Sequence, residues 1–431
     1  MLSMRGYTRC MSDDRTGMSD NRSDHRAAIR AAAPILIGAA VMLSLAMGLR
    51  QSLGLFVQPA IKDLSIMVAD FTLAIAIQNL AWGILQPVAG AFAARTGFRP
   101  VLLAGVVSYA LGMLTLASTH SMIGVVLGAG VFIGAALACC GSGMAMAVAS
   151  RPVPAALRST ALGMVSAAGS LGAMIAAPIG QSLSAAFGWR VGVWGFVAIA
   201  LVMAPCAWIA GRVDRVAVPS GVGAVADAVS ARLALGQAFR SAPFMVMSAA
   251  YFVCGLQLVF LTTHLPSYIA FCGLDPMLGA QALAVIGGFN VLGSLFFGWA
   301  GDRWSKPVLL GGIYVVRSLV LAWYFNAPPT PDSTLIFAAL MGFLWLGVAP
   351  LLSGAVADMF GLRWLATIQG IAFASHQLGS ALGAFGGGLL FDLMGNYQLA
   401  WQLGVGMGIT AGVVQMLMGF ANTPGPRPVP G

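Results

Sequence analysis

Three residues that can bind an anion or exchange a proton lie inside long apolar stretches of this sequence: Arg50, His264 and His376. An arginine presents a planar fork of donors that matches a carboxylate with two parallel hydrogen bonds. A histidine gains and loses a proton near neutral pH. Their combination predicts a site where Arg50 holds an anion and the histidines help to bind it or carry a proton.

Each of these residues also has a simpler explanation. Arg50 lies nine residues before Pro59, so its long side chain could extend to the membrane surface instead. Either histidine could be a hydrogen-bonded packing residue between helices. The sequence leaves both explanations open.

The composition places the chain in a membrane. Hydrophobic residues make up 59% of the 431 residues and charged residues 8%, whereas a soluble domain has about 25% charged residues. This excludes a soluble protein. All thirteen acidic residues are aspartates, and none lies in the centre of an apolar stretch. A proton that crosses with the substrate would therefore have to travel on a histidine or on the substrate.

The apolar stretches predict an all-α membrane protein with twelve transmembrane helices. About 20 apolar residues cross the bilayer core as a helix. Two such stretches fit between Pro100 and Ser150, and ten more have these bounds: Ala31–Gln58, Phe71–Ala94, Arg158–Ala185, Val191–Gly211, Ala242–Phe271, Met277–Ala300, Pro307–Phe325, Ser333–Val356, Leu365–Phe391 and Ala400–Ala421.

The basic residues predict the orientation of these helices, because cytoplasmic loops are enriched in arginine and lysine. With the N-terminus inside, eighteen of the 22 basic residues face the cytoplasm, and only Lys62 and Arg190 face the other side. We therefore expect a multi-pass protein of a bacterial-type inner (plasma) membrane with both termini in the cytoplasm. The same distribution accounts for the net charge of +9 without a nucleic-acid partner.

The chain contains an internal repeat. Gly48 recurs as Gly255 and Gly172 as Gly379, both at an offset of 207 residues. The repeat predicts two pseudo-symmetric six-helix bundles, an arrangement in which transporters bind substrate between the halves. The expected organisation is a disordered cytoplasmic tail at 1–26, bundles at 27–211 and 242–422, a cytoplasmic linker at 212–241 and a tail at 423–431.

The loops after the second and eighth helices resemble a motif of the major facilitator superfamily, Gly-x-x-x-Asp-Arg-x-Gly-x-Arg/Lys. One loop reads Gly-Ala-Phe-Ala-Ala-Arg-Thr-Gly-Phe-Arg from position 90, with Ala94 in place of the aspartate; the other, from position 298, keeps the aspartate. The resemblance implies the major facilitator fold and gating loops that latch the two halves. The alternative is that their arginines only set the orientation. The gating residues implied are Gly90, Arg95, Gly97, Arg99, Gly298, Asp302 and Arg303.

Within that superfamily the chain resembles the monocarboxylate and oxalate/formate branch. The similar stretches are Gly48–Phe56, Thr263–Pro266 and Ser375–Gly379. The resemblance implies a carboxylate substrate and a central cavity partly lined by the first helix, which carries Arg50. Some branch members have an arginine on the eighth helix, where this chain has Asn290. Arg317, on the ninth and more peripheral helix, is interpreted as structural.

Five amides within the predicted helices are further candidates for substrate contacts: Gln78, Asn79, Gln257, Asn290 and Gln377. Amides also hydrogen-bond neighbouring membrane helices, which is their commoner use. The leading hypothesis is a secondary transporter of a small organic anion that works by alternating access, without a cofactor or bound metal and as a monomer in the lipid bilayer. The alternatives are a proton-coupled exporter of hydrophobic compounds and, less in keeping with the motifs, a membrane sensor or enzyme.

Overall fold

The computed structural model describes residues 32–153, 158–216, 236–301, 303–360 and 365–421. These residues are helical apart from short turns, and no strand occurs among them. The expected tails at 1–26 and 423–431, Asp302, and residues 217–235 of the expected linker lie outside the described residues.

Twelve long helical segments follow one another along the described chain, which also has a short 3-10 helix at Gly211–Arg215 and a short helical stretch at 236–240. They are α1 Ala32–Leu64, α2 Val68–Thr96, α3 Phe98–Ser118, α4 Met122–Ser150, α5 Arg158–Phe187, α6 Trp189–Ala210, α7 Ala242–Phe271, α8 Pro276–Gly301, α9 Lys306–Phe325, α10 Pro331–Phe360, α11 Leu365–Met394 and α12 Gln398–Ala421. They coincide with the twelve apolar stretches of the sequence to within a few residues.

Eleven of these segments are long and apolar enough to cross a membrane. The remaining one, α11, is 30 residues long, but His376, Gln377 and Asp392 interrupt its apolar character. Many large apolar side chains face outward, such as Ile84, which is 69% exposed. A surface of this kind is stable against lipid and not against water. The all-α membrane fold expected from the sequence is confirmed.

Three segments depart from a regular α-helix. α1 contains a 3-10 turn at Ser52–Phe56, which begins two residues after Arg50. α4 contains a wider π-helical stretch at Val126–Phe132, and α10 has a turn at 344–347. Such irregular turns leave backbone groups without their usual helical partners and often mark functional positions.

The glycines of the internal repeat perform the same packing task in both halves. Gly48 on α1 lies directly against Gly172 on α5, and a Cβ atom on either residue would overlap the opposite backbone. Gly255 on α7 lies in the same way against the carbonyl group of His376 on α11. Small residues allow membrane helices to approach this closely. The repeat in sequence is therefore a repeat in helix packing.

Most buried apolar residues of α1–α6 form one cluster, and most of those of α7–α12 form a second. The two halves meet near mid-helix, where Asn290 on α8 donates a 2.9 Å hydrogen bond to Ser170 on α5. They also meet at the end remote from the arginine-containing α2–α3 and α8–α9 loops. There the Asp392 carboxylate, near the end of α11, accepts hydrogen bonds from the backbone N–H groups of Val68 and Ala69 at the start of α2, at 3.2 and 2.7 Å.

Candidate functional site

Arg50 lies on α1, and its side chain contacts α2. Its Nη2 donates a 2.6 Å hydrogen bond to Oδ1 of Asn79, and its guanidinium carbon lies 5.2 Å from the centre of the Trp82 ring. Its Nε is buried without a hydrogen-bond partner among the described residues. The two ion pairs of the described chain, Asp63–Arg190 and Lys306–Asp358, do not involve Arg50. The described groups in contact with its guanidinium are thus all neutral.

Asn79 connects Arg50 to the other half of the molecule. Its Nδ2 donates to the Ile75 carbonyl oxygen at 2.7 Å, which directs its Oδ1 toward Arg50. Its own backbone carbonyl accepts a 3.2 Å hydrogen bond from Nε2 of Gln377 on α11. The path from Arg50 through Asn79 to Gln377 therefore crosses from one half to the other.

His376 continues this path, and the hydrogen bonds determine which of its nitrogens carries the proton. Gln377 must turn its NH2 group toward the Asn79 carbonyl, so its Oε1 faces Nδ1 of His376 at 3.1 Å. A carbonyl oxygen only accepts, so Nδ1 of the neutral ring is the donor and Nε2 carries the lone pair. Nε2 has no hydrogen-bond partner among the described residues, and the side chain is half-buried. Nε2 is therefore the atom that can accept a proton.

Aromatic rings surround His376. The Tyr251 ring on α7 lies 4.5 Å from the His376 ring, and the Phe373 ring stacks parallel to it with centres 6.2 Å apart. Phe373 also meets Trp82 edge to face at 5.4 Å. The sequence analysis did not select these three aromatic residues, because nothing in their spacing distinguishes them from other lipid-facing or packing rings. We call Arg50, Asn79, Trp82, His376 and Gln377 the Arg50 site.

His264 lies elsewhere, in the core of the second half. Its Nε2 lies 2.8 Å from the Ala384 carbonyl oxygen and its Nδ1 lies 3.3 Å from the Tyr397 hydroxyl, and the side chain has no exposed surface. Nε2 must donate to the carbonyl, so Nδ1 accepts from Tyr397. Both ring nitrogens are satisfied within α7, α11 and the turn before α12. The contacts are those of a packing histidine, one of the two alternatives the sequence left open.

Gln78 and Asn290 satisfy backbone groups near irregular turns. Gln78 Nε2 donates at 2.7 Å to the Ala129 carbonyl in the π-helical stretch of α4. Asn290 Oδ1 accepts at 2.9 Å from the backbone N–H of Leu346, in the turn of α10. Neither residue joins the Arg50 site, although Asn290 also links α8 to Ser170 on the other half.

Gln257 on α7 joins three helices of the second half. Its Oε1 accepts a 2.9 Å hydrogen bond from Nε of Arg317 on α9. Its Nε2 donates to the Ser318 hydroxyl at 3.1 Å and to the Gly404 carbonyl on α12 at 2.7 Å. Arg317 is therefore turned toward α7, although α9 itself was expected at the periphery.

The α2–α3 loop is held within its own half. Gly97 has a φ of +91°, which allows α2 to end and α3 to begin within one residue. The Asp214 carboxylate, just after α6, accepts hydrogen bonds from the backbone N–H groups of Phe98 and Arg99 at 2.7 and 2.9 Å. An anion at a helix N-terminus is favourable because of the helix dipole. Arg95 is exposed, and Gly90 has open space around it.

The corresponding α8–α9 loop is also anchored locally. Arg303 lies over the Trp299 ring at 4.3 Å, and Gly298 has open space around it. Lys306, the first residue of α9, pairs with Asp358 on α10 at 2.8 Å. A latch between the two halves formed by these loops remains a prediction. Asp214 and Asp358 are residues that the sequence analysis missed, and they hold the loops in place here.

The sequence profile of the Major Facilitator Superfamily matches residues 36–384 of this chain. The chain belongs to the major facilitator superfamily. It is therefore a multi-pass membrane protein of a transporter family, as the loop motif and the internal repeat indicated.

Relatives within the superfamily include proteins named as monocarboxylate and sialic acid transporters. Monocarboxylate transporter 13 of Bos taurus is 25% identical over 335 residues, which cover 76% of this chain and 74% of that protein. The sialic acid transporter NanX of Escherichia coli K12 is 24% identical over 344 residues, covering 77% and 80%. The match to YcxA of Bacillus subtilis, an uncharacterized MFS-type transporter, has 27% identity over 163 residues and spans only 37% of that protein.

A solved transporter shares the fold. A crystal structure of the nucleoside transporter NupG superimposes with a TM-score of 0.71 at 14% identity, covering 90% of this chain and 99% of that one. At this identity the similarity concerns the fold alone.

Proposed function

We propose that this protein carries a small organic anion across the membrane by alternating access, with Arg50 as the residue that binds the carboxylate. The supporting observation is the guanidinium of Arg50. It is half-buried at the junction of the halves, it has only neutral partners, and its Nε is unpaired. A cation at membrane depth is costly unless an anion or polar groups compensate it. A carboxylate that approaches Nε and one Nη would supply that compensation with two hydrogen bonds.

The Arg50 site also offers a way for anion binding to affect both halves of the molecule. Arg50 and Asn79 belong to the first half, and Gln377 and His376 to the second. An anion bound to Arg50 would contact a guanidinium that is hydrogen-bonded to Asn79, and Asn79 is hydrogen-bonded in turn to Gln377 on α11. In alternating access the halves must respond together to a substrate held between them. The relatives named as monocarboxylate and sialic acid transporters are consistent with a carboxylate.

His376 is the proposed proton carrier. Its Nε2 holds the free lone pair, and no described aspartate lies in the central part of a membrane helix. A proton on Nε2 would bring a second positive charge next to the anion and strengthen its binding. Anion and proton would therefore bind together and cross together.

The orientation follows the distribution of basic residues, with both termini in the cytoplasm of a bacterial-type cell and the protein acting as a monomer. In this orientation Asp392 and the start of α2 lie at the outer face. The close contact of the halves at that face corresponds to a conformation closed to the outside.

The test is uptake of labelled small carboxylates into proteoliposomes, with and without an inward proton gradient. We expect saturable uptake of at least one acid, stimulated by the gradient. In the same assay Arg50→Gln should weaken uptake. Its matched control is Arg240→Gln, which removes one positive charge at an exposed position near the start of α7 and should leave uptake unchanged.

Absence of uptake of every acid by folded protein would contradict the proposal. Drug sensitivity of a deletion strain would then favour the alternative, an exporter of hydrophobic compounds, and Arg50 would be a structural residue.

A further inference from the structure

A cavity of about 340 Å³ lies between the two halves at the end of the molecule where Asp392 caps α2. Residues near the ends of α1, α5 and α7 line it, together with Pro276, the first residue of α8. Gly54 is the lining residue nearest to Arg50 along α1, and a Cβ atom there would overlap the Thr262 carbonyl oxygen on α7. No residue of the Arg50 site lines this cavity. We call it the Lys62 cavity, after its basic lining residue.

The internal repeat explains why the cavity occurs on this side of the molecule. At the offset of 207, Ala185 on α5 corresponds to Asp392 on α11, and Pro276 corresponds to Ala69 at the start of α2. Between α11 and α2, the Asp392 carboxylate accepts a hydrogen bond from the Ala69 N–H group. Between α5 and α8, Ala185 has no carboxylate and Pro276 has no N–H group, so the equivalent cap cannot form. The cavity lies where this second contact is missing.

The polar side chains of the cavity lack partners of their own. Gln181 is only 9% exposed, and neither its amide nor that of Gln58 has a hydrogen-bond partner among the described residues. A buried amide without a partner is costly. Lys62 takes part in neither ion pair of the described chain, whereas Arg190, the other basic residue at this end, is paired with Asp63 at 2.8 Å. The cavity therefore offers unpaired donors and a positive charge, and its lining contains no acidic residue.

The remaining lining restricts the size and class of a ligand. Most of it is apolar, with Leu55, Pro59, Ala185, Pro266, Ala270 and Pro276. Sites for small molecules are typically apolar with a few polar groups and have volumes of about 300–1,000 Å³. A volume of about 340 Å³ is at the lower end of this range. The combination fits a small molecule with one negative charge and a short apolar body.

We propose that the Lys62 cavity is a second binding site, which takes up a small monocarboxylate at the outer mouth of the protein before the halves open toward Arg50. The Lys62 ammonium supplies the positive charge, and the amides of Gln58 and Gln181 donate hydrogen bonds to the carboxylate. The acid reaches Arg50 only when the contact between Gly54 and α7 separates. This inference rests on the proposed function for the orientation and for the class of ligand.

The experiment uses the two lysines of the chain, Lys62 and Lys306. The purified full chain in detergent is labelled with an amine-reactive ester, and mass spectrometry gives the labelling rate of each lysine. Acetate, butyrate and benzoate are the probes, each compared with sodium chloride at the same ionic strength. We expect at least one acid to slow the labelling of Lys62 threefold or more. Lys306, which is paired with Asp358 near the opposite end of the molecule, should be labelled at an unchanged rate.

Substitution of the buried amide tests whether the cavity itself holds the acid. Gln181→Leu should raise the acid concentration that gives half of the protection at least threefold. Gln398→Leu, which replaces an exposed amide at the first residue of α12, is the matched control and should leave this concentration unchanged. Gln58→Leu provides a second test if Gln181→Leu does not fold. Unchanged protection in the folded cavity variants would overturn the inference.

The outcomes separate this inference from the proposed function. Protection should persist in Arg50→Gln, because Arg50 does not line the cavity; its loss would mean that acid at Arg50 protects Lys62 indirectly and would overturn the inference. Equal protection by chloride would show charge screening alone and would also overturn it, as would a lack of protection by all three acids. Failure of the proposed function would appear differently, as absent acid uptake by a protein in which acid still protects Lys62.

Discussion

The Asp392 carboxylate on α11 accepts a 2.7 Å hydrogen bond from the backbone nitrogen of Ala69 at the start of α2. One half of the molecule thereby caps a helix N-terminus of the other half, where the helix dipole favours a negative charge. Gly388, one turn earlier on α11, lies directly against Thr72 and Ala69, so the two helices are in close contact here. This contact must separate when the molecule opens at this end.

Asp392→Asn should therefore shift the protein toward the conformation open at this end. Asparagine keeps an oxygen acceptor but loses the negative charge, so the change should cost about 0.3–2 kcal/mol, which corresponds to a shift in the population ratio of up to about thirtyfold. Spin labels at Met67 and Leu393, which are 59% and 68% exposed, in a cysteine-free background would report the change as longer distances. Asp332→Asn, an exposed residue in the first turn of α10, is the control. Identical distance distributions in all three proteins would show that Asp392 does not hold the two halves together at this end.

Arg50→Gln should raise the KM for uptake. The variant loses the charge and the paired donors, and each charge-assisted hydrogen bond contributes about 1.5–3 kcal/mol, so a rise of at least tenfold is expected. Arg50→Lys should restore binding only in part, because an ammonium lacks the planar fork. KM and kcat from proteoliposome uptake check this. Equal KM values in all three proteins would show that Arg50 has no contact with the substrate.

His376→Gln should uncouple transport from the proton gradient. Glutamine can maintain the hydrogen bonds to Gln377 and Ser380, which lies 3.3 Å from Nδ1 of His376, but it cannot take up a proton. Exchange of labelled for unlabelled substrate should persist while gradient-stimulated uptake disappears. The measurement is uptake against exchange at several external pH values. If gradient stimulation survives, the proton travels on the substrate or elsewhere in the protein.

His264→Ala should destabilise the protein more than it changes transport. The substitution opens a cavity and leaves the Ala384 carbonyl and the Tyr397 hydroxyl without their partner, a loss of about 2–4 kcal/mol. Thermal unfolding in detergent, measured beside the KM of the surviving protein, tests this. A stable variant without transport would instead support the direct role in substrate or proton binding that the sequence allowed.

The sequence by itself determined the membrane class, the twelve helices and the duplicated halves. These features depend on local properties: a helix that crosses lipid must be apolar along its own length, and a duplicated segment keeps its glycines at a constant offset. Gly48 and Gly255 could therefore be matched before their packing was known. Arg50 could be selected as well, because a charge inside an apolar stretch is visible in one dimension.

Only the tertiary structure decided which polar residues meet. His264 and His376 look alike in the sequence, yet one is enclosed in the core and the other lies on the hydrogen-bonded path to Arg50. Arg317 lies on a helix expected at the periphery, and its side chain points inward to Gln257. Asp392 and Asp214 occur near helix ends, and each caps a helix distant in sequence. A side chain's partners depend on helix rotation and packing across the whole bundle, which the order of residues along the chain does not specify.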